Sequence, residues 1–403
     1  MENLTNSQFS ALKEFKRNVS DILDPYDTDP VLLKWLRARN YNPKKAEVYF
    51  REMYRIKQTY QFDTLFNAYT KPEMAEKYEY TAFLGYAKDG SVVRYSPIGK
   101  GDHLGFLMSL STYDCIVYAT SFVWEDLERQ RKENARTGKE INEITYIFDM
   151  EGFSIQDILH KSVLEMALDM GRMVQDYYPE IWGHIFFINV PSYFDTAYNM
   201  FKPILRLSVI QKLQVVSKEH VGEVLLKYID EDVLPVFLGG KRVDSSGNPR
   251  CTEFLRFGGK VPERYYVTNR CLLSPSDAGV TDVWIPARGA FNYSIVVQKP
   301  RTRFHVQYQT ENGSIHVRLF YRKFTSGSPD LPSSDEYLDE RDEKTNVQLI
   351  SPGLRVQSHM VPLDYNNYLA PWAGVYIFRF SNAQSWFGAR RLTFRIRLLD
   401  SDL

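Results

Sequence analysis

Asp149 and Glu151 stand two residues apart, where an apolar run, Ile144-Thr-Tyr-Ile-Phe-Asp149, comes to its end. The carboxyl ends of buried strands are where sheet proteins often hold ligands. A pair of carboxylates there has the right chemistry for proton transfer. The competing reading is that both cap a turn and meet solvent. Tyr177-Tyr178-Pro179-Glu180 has the same double aspect: three ionisable side chains in four residues, or a helix end stopped by proline. Gly99-Lys-Gly101-Asp-His-Leu-Gly105 resembles a phosphate cradle, but it misses the dinucleotide spacing by one residue and no acidic strand end follows at the right distance. No Gly-x-Ser-x-Gly elbow is present to expose a nucleophilic serine. The seven histidines include no His-x-x-x-His pair. The three cysteines, Cys115, Cys251 and Cys271, are too far apart for a CxxC metal site or a disulfide framework, and suit a reducing cytosol. No metal or cofactor is expected.

Composition narrows the class further. The 403 residues suffice for two or three domains, and 27 Tyr with 25 Phe imply large cores or surfaces that meet something apolar. Residues 1–246 carry 30 Lys+Arg against 35 Asp+Glu, a net −5, and residues 247–403 carry 20 against 15, a net +5. Neither half has the basic excess of a nucleic-acid binder. The start, Met1-Glu-Asn-Leu-Thr, lacks the basic and apolar regions of a signal peptide. Glu2 is not the glycine that myristoylation needs, and no apolar run approaches a membrane span. Membrane contact is therefore expected to be peripheral.

The elements that must position these residues follow in chain order. Asp29-Pro30 and Asn42-Pro43 read as helix starts, the second opening a helix with Ala46, Tyr49, Phe50, Met53 and Ile56 on one face. Tyr80–Ala87 and Val92–Ser96 read as strands joined by Lys88-Asp89-Gly90. Ser111-x-x-Asp114 caps a long helix along Ile116, Ala119, Val123 and Leu127, closed by Gly138. Ile144–Phe148 and Ile185–Ile188 are near-continuous apolar runs, the mark of strands buried on both faces. The helix between them, capped by Ser154-x-x-Asp157, carries Ile158, Met166, Met170, Met173 and Val174, which makes a βαβ crossover. Leu234–Leu238 reads as one more strand, closed by Gly239-Gly240. Ser245–Pro249 is a linker, after which the chain turns all-β. Phe291–Val297, Arg303–Gln309, Ile315–Tyr321, Gly374–Ser381 and Arg391–Leu398 alternate as half-buried strands of a sandwich. Acidic Thr325–Asn346 reads as a mobile loop.

One element stands apart. From Tyr193 to Leu205 the spacing predicts a helix with two adjoining apolar stripes: Tyr193, Ala197, Met200 and Ile204, then Phe194, Tyr198, Phe201 and Leu205. Such a helix is either buried on all sides or packs one stripe on the sheet and offers the other to a ligand or membrane.

The order of motifs resembles the CRAL-TRIO lipid-transfer proteins: Leu32-Leu-Lys-Trp-Leu-Arg-Ala-Arg39, Tyr177-Tyr-Pro-Glu180, Asn189-Val-Pro191, Ala197-Tyr-Asn-Met-Phe-Lys-Pro203, Leu225-Leu-Lys227 and Phe237-Leu-Gly-Gly240. Gly374-Val-Tyr-Ile-Phe-Arg-Phe-Ser-Asn382 and the closing strand look like a GOLD domain. The pairing, with Gly247-Asn-Pro between the halves, is similar to the supernatant protein factor and tocopherol-associated protein group. The resemblance implies a multidomain fold: a helical cap (1–72), an α/β lipid-cavity domain (73–246) and an all-β, jelly-roll-like sandwich (247–403). It implies no catalysis.

It also implies a gate over Tyr193–Leu205, formed by Tyr193, Phe194, Ala197, Tyr198, Phe201, Ile204 and Leu205. Met170, Met173, Val174, Tyr177, Tyr178 and Phe187 would line the cavity. Glu180 and Lys212 match positions that hold an inositol phosphate head group in the yeast phosphatidylinositol/phosphatidylcholine exchanger of the family. That exchanger has a lysine directly after Arg-Ala-Arg, where this chain has Asn40, so a neutral isoprenoid or sterol-like ligand stays open beside a phospholipid or tocopherol. The expected partners are a lipid and, transiently, a membrane surface, with the Golgi among the candidates, and no nucleic acid. A second expectation is a lipid-regulated adaptor whose β half meets a protein or anionic lipid through Arg391, Arg395 and Arg397. A third is turnover of a small hydrophobic substrate by Asp149, Glu151 and Glu180.

Overall fold

The computed structural model describes residues 4–61, 70–267, 273–324, 329–339 and 343–399. Three helices come first: α1 (Asn6–Asn18), α2 (Asp29–Arg37) and α3 (Pro43–Tyr60). Pro43 at the first turn and the Asn42 side chain, which accepts from Lys45 N, start α3 as the sequence predicts. For α2 the cap is Thr28, one residue earlier than expected, and Asp29 is already helical. The helices close on edge-to-face rings, Phe15 and Trp35 each against Phe50 at 5.7 and 5.3 Å.

Helix α4 (Glu73–Tyr78) leads into a five-stranded sheet ordered β1 (Ala82–Tyr86), β2 (Val92–Ser96), β3 (Ile144–Asp149), β4 (Trp182–Ile188), β5 (Leu213–Val216). β1 and β2 pair antiparallel, and the rest pair parallel. Between β2 and β3 lie α5 (His103–Ser109) and α6 (Thr112–Thr137). Ser111 Oγ accepts from Asp114 N and donates to its carboxylate, and Gly138 ends α6 at φ +72°. A buried ion pair, Arg94 to Asp126 with both nitrogens at 2.5 Å, ties β2 to α6.

The crossover from β3 to β4 is two helices, not one. α7 (Ile155–Leu159) breaks at His160, and α8 (Lys161–Tyr177) follows. After β4 come α9 (Phe194–Phe201), α10 (Leu207–Ile210), β5 and α11 (Val221–Tyr228). Leu234–Leu238 is not a strand. Pro235 has no N–H to give a ladder, and the chain coils through a 3-10 turn, Val236–Leu238, into Gly239 at φ +93°. A side chain on Gly239 would run into the backbone of Gly222. The fifth strand is instead Leu213–Val216, an edge strand too short to show a period.

Past Pro249, Cys251 and Leu255 pack back into the α/β core. The chain then forms two four-stranded antiparallel sheets: β10 (Gln348–Val356), β9 (Ile315–Arg322), β12 (Gly374–Ser381), β7 (Ala290–Val297), and β11 (Leu363–Ala370), β8 (Thr302–Thr310), β13 (Arg390–Leu399), β6 (Thr281–Ile285). They meet face to face through Phe304–Tyr376, Tyr308–Phe380 and Phe394–Phe380 ring contacts at 5.2 to 5.5 Å. Of the four residues whose alternation predicts an inward face, Leu392, Phe394 and Ile396 point into this core, while Leu398, near the strand's end, is exposed. The described part of Thr325–Asn346 is fastened to the sandwich. Leu338 is buried, Arg322 bonds Asp330 and Glu336, and Arg379 donates to Glu336 O at 2.7 Å. Cys271 lies outside the described residues.

The helical cap also joins the two halves. Tyr60 at the end of α3 shares a 2.5 Å hydrogen bond with Ser351, and Arg55 donates to Leu349 O at 3.0 Å. Near the start of α8, Glu165 accepts from Ser314 and Gln357 and pairs with Arg355 at 2.8 to 3.0 Å, while Asp169 accepts from Arg355 N.

Candidate functional site

Successive side chains of a strand point to opposite faces, and the two faces of this sheet are finished differently. Ile147, Phe186 and Ile188 lie under α11 and the Leu234–Phe257 segment and are fully sealed. On the other face a line of rings crosses the sheet from β3 to α9. Tyr146 stacks on Phe148 (5.5 Å), Phe148 on Phe187 (5.2 Å), Phe187 meets Phe194 (5.3 Å), and Phe194 stacks on Tyr198 (6.1 Å). Tyr146 and Phe194 are buried, but Phe148, Phe187 and Tyr198 keep part of their surface accessible. This face is apolar without being closed.

The helix expected to form a gate lies at the far end of that line, and it is shorter than predicted. The α-helix runs from Phe194 to Phe201, Lys202–Ile204 is a 3-10 turn, and Leu205 is extended. Pro203 explains the change, because it cannot donate the helical hydrogen bond and its ring crowds the preceding turn. Phe194 and Ala197 are the buried contacts. Tyr193, Tyr198, Met200, Phe201, Ile204 and Leu205 are half-buried, and Asp195, Thr196 and Asn199 meet solvent. The Tyr193 hydroxyl donates to Phe153 O, tying the start of the gate to the loop before α7. Its exit is tied to α8: Gln175 donates to Ile204 O at 3.0 Å and accepts from Arg206 N at 2.9 Å, and Arg206 pairs with Asp176 at 2.6 Å.

The residues expected to line the site divide into three groups. Phe187 lies in the ring line. Met173 is buried and clusters with Met170 and Tyr177. Val174 and Tyr178 pack with Ile144, Tyr146 and Val123, between α8, α6 and the sheet, and burial holds the Tyr178 phenol well above its usual range.

Glu180 and Lys212 do come together. Lys212 donates to Glu180 at 3.1 Å and to Glu143 at 3.2 Å, and Ser208 donates to Glu180 at 2.7 Å. Burial alone would raise the Glu180 carboxyl, but Ser208, Lys212 and Lys34 outweigh it and hold it below the ordinary range. Glu180 itself stands at φ +52°, a left-handed conformation that only a determined surrounding maintains. Lys34 was missed as a site residue. From α2 it donates to Glu180 O at 2.9 Å and also to Asn142 O. Burial pushes its ammonium down to about 8, with Glu143 pulling the other way. The signal was present as a lone lysine inside Leu32-Leu-Lys-Trp-Leu36. The result is a polar cluster of Lys34, Lys212, Glu143 and Glu180 with balanced charge.

The paired carboxylates are engaged. Asp149 accepts from the Tyr95 hydroxyl, Asn189 and Glu151 N at 2.8 to 2.9 Å, and Glu151 pairs with Lys100 at 2.5 Å. They brace the turn after β3. Gly99 belongs to that brace, since a Cβ there would lie 2.5 Å from Glu151 O. Among the described residues no group of three or more His, Cys, Asp or Glu could hold a metal ion, and no helix is long and apolar enough to cross a membrane.

The CRAL/TRIO domain profile matches residues 76–240, which hold the sheet, the ring line and the gate. Protein ctg-1 of Caenorhabditis elegans is 24% identical over 387 residues, covering 95% of each chain. Protein real-time of Drosophila pseudoobscura pseudoobscura is 25% identical over 285 residues, which is 68% of this chain and 41% of that protein. Of solved structures, that of Sfh5 matches 66% of this chain and 96% of its own at 15% identity and a TM-score of 0.46. Residues 76–240 of this chain thus form a CRAL/TRIO domain.

Proposed function

We propose that this protein carries one hydrophobic ligand, a phospholipid, tocopherol or isoprenoid-like lipid, between membranes, and that it is not an enzyme. The observation that carries the reading is the half-open line of rings that runs from Phe148 and Phe187 on the sheet to Phe194 and Tyr198 on the gate helix, whose buried contacts, Phe194 and Ala197, are apolar. Moving acyl chains out of hydrocarbon costs about 0.8 kcal/mol per CH2, so a two-chain lipid of about 30 such groups meets a barrier on the order of 20 kcal/mol. An apolar surface offered at the membrane lowers that barrier, and no reactive group is needed. Met170, Met173, Val174, Tyr177, Tyr178 and Phe187 supply the wall, and Tyr193–Leu205 the gate. Glu180 and Lys212, with Lys34, supply the polar lip for a head group. The carrier works in the cytoplasm and docks transiently on membranes.

Lipid extracted from protein purified under native conditions and read by mass spectrometry is the direct test. One lipid class in stoichiometric amount, together with transfer of that lipid between vesicles, is expected. An empty site and no transfer of any lipid refutes the proposal. The adaptor reading loses its original motive, because the arginine face of β13 already has partners. Arg391 pairs with Asp282 at 3.1 Å, Arg395 donates to Gln307 at 2.7 Å, and Arg397 bonds His305 at 3.3 Å.

A further inference from the structure

At one end of the β-sandwich, the loop between β12 and β13 exposes two adjacent aromatic side chains. Phe387 is 89% exposed and Trp386 71%. Exposed rings usually sit on loose segments, but this loop is built. At its base Asn382 is buried, and its side-chain amide donates to Ile285 O, Pro286 O and Gly388 O at 3.1 to 3.2 Å. Asn382 N donates to Gly289 O, and Arg288 N donates to Asn382 O. At the apex Ser385 Oγ donates to Phe387 O. A buried amide with every donor used therefore fastens a loop whose apex is two bare rings. Their apolar area gains nothing from folding, so it is available to an external apolar phase.

The chemistry around the apex selects that phase. The Arg288 guanidinium stacks on Trp386 at 3.9 Å and donates to Ala383 O at 3.2 Å, and among the described residues no carboxylate pairs with it. Glu311, an acid of the same sandwich end, is held by Arg391 at 3.6 Å. A convex tip of Trp and Phe with an arginine at its side is the composition that settles at a lipid–water boundary. The rings enter the acyl edge, and the cation meets anionic head groups. A protein partner would need a preformed pocket for the same tip.

The position fits as well. The β8–β9 turn and the residue after β10 belong to this end of the sandwich, and there Ser314 and Gln357 hold Glu165 in the first turns of α8. The residue two before α8 is Leu159, itself 59% exposed, and the loop before α7 accepts the hydrogen bond from the gate residue Tyr193. The sandwich end that carries the aromatic tip is thus also the end that holds the start of α8, and α7 with the Phe153 loop directly precedes α8 in the chain.

We infer that Trp386 and Phe387, at the apex of the β12–β13 loop, anchor this protein on anionic bilayers and bring the gate corner to the membrane. The inference rests on the lipid-carrier reading for its purpose, but the docking itself is measured separately. The full chain is sedimented with phosphatidylcholine vesicles, with and without phosphatidylserine. The double variant Trp386→Ser/Phe387→Ser is expected to bind phosphatidylserine vesicles about 100-fold more weakly, the loss of two inserted rings. Its unfolding midpoint should be unchanged. Phe9→Ser, an exposed ring on α1, should bind as the natural chain does. Three results overturn the inference: undiminished binding by the double variant, an equal loss in Phe9→Ser, or binding by the natural chain that ignores phosphatidylserine. Mass spectrometry of the lipid carried by both proteins separates the two ideas. A variant that keeps its lipid but loses the vesicle supports docking by this loop. A natural chain that carries no lipid refutes the carrier reading whatever the loop does.

Discussion

Phe186 and Phe187 are neighbours in β4 with opposite fates. Phe186 is sealed beneath α11 and the Leu234–Phe257 segment, while Phe187 remains half-buried between Phe148 and the gate residue Phe194. The same strand is therefore core on one face and a partly accessible apolar surface on the other. What differs is the covering. On the sealed face, α11 and the turn at Gly239 approach so closely that Gly222 and Gly239 touch backbone to backbone. On the open face the cover is a two-turn helix, α9, held at its start by Tyr193 and at its exit by Gln175 and Arg206. Fasteners at both ends with few buried contacts between them are what a movable cover needs.

Truncating the two rings breaks or sharpens this comparison most directly. Phe186→Ala leaves a cavity among fully buried neighbours and should cost about 4 kcal/mol of stability. Phe187→Ala removes a ring that is already partly accessible and should cost roughly 1–2 kcal/mol, with faster loss of bound lipid. Urea denaturation of both variants gives the ratio. Equal costs would mean that the open face is ordinary core.

The polar lip yields the next largest effect, through pH. Lys34 is held down to about 8 in the folded chain, below its ordinary 10.5. Between those values the unfolded chain binds the proton and the folded chain does not, so stability rises with pH across that window. Below about 8 both states are charged and the cost of the buried ammonium is fully present. The gain from pH 7 to 10 should be roughly 2 kcal/mol. Because raised phenols such as Tyr95 and Tyr178 act in the opposite sense above their usual range, the quantity to measure is the difference between the natural chain and Lys34→Met. If both show the same pH dependence, Lys34 is not buried as a cation.

Much of this is legible in the sequence, and the exceptions have a common cause. The alternation of Leu392, Phe394 and Ile396 and the apolar runs of β3 and β4 follow from local period, and the structure keeps them. Pro203 was visible in the sequence, yet the two stripes through Ile204 and Leu205 drew the helix past it. β10 and β11 escaped notice because bulges at Leu349–Leu354 and Tyr365–Tyr368 shift the alternation midway. Lys34 could not be placed by period at all, since its acceptors at Asn142 and Glu180 lie 108 and 146 residues away. The Glu180–Lys212 contact came from family resemblance, and pattern alone left Glu180 as a helix end. Long-range polar contacts, unlike apolar faces, leave no periodic trace.

The gate itself gives a smaller effect, seen in kinetics. Phe201 is half-buried at the last turn of α9. Phe201→Asp places a charge that must be dehydrated whenever the helix closes on the ring line or meets acyl chains. Lipid exchange between vesicles should slow about tenfold, with a stability change below about 1 kcal/mol, since the site is not core. An unfolded variant would show that α9 is a structural helix buried on all sides and would remove the contrast between the two faces.

The smallest effect concerns which lipid the open face receives. Lys212 is shared between Glu180 and Glu143, both partly accessible, so a phosphate arriving at the lip competes with two carboxylates that already neutralise it. Replacing Lys212 by alanine removes the cation nearest Glu180 while Ser208 still donates to that carboxylate. The unpaired negative charge would then repel an anionic head group and leave a neutral isoprenoid or tocopherol indifferent. Transfer of phosphatidylinositol should fall a few-fold in Lys212→Ala, roughly 1 kcal/mol, with tocopherol transfer unchanged. An equal fall for both lipids would make Lys212 a brace for the Glu180 turn, and the lip would then carry no head-group selectivity.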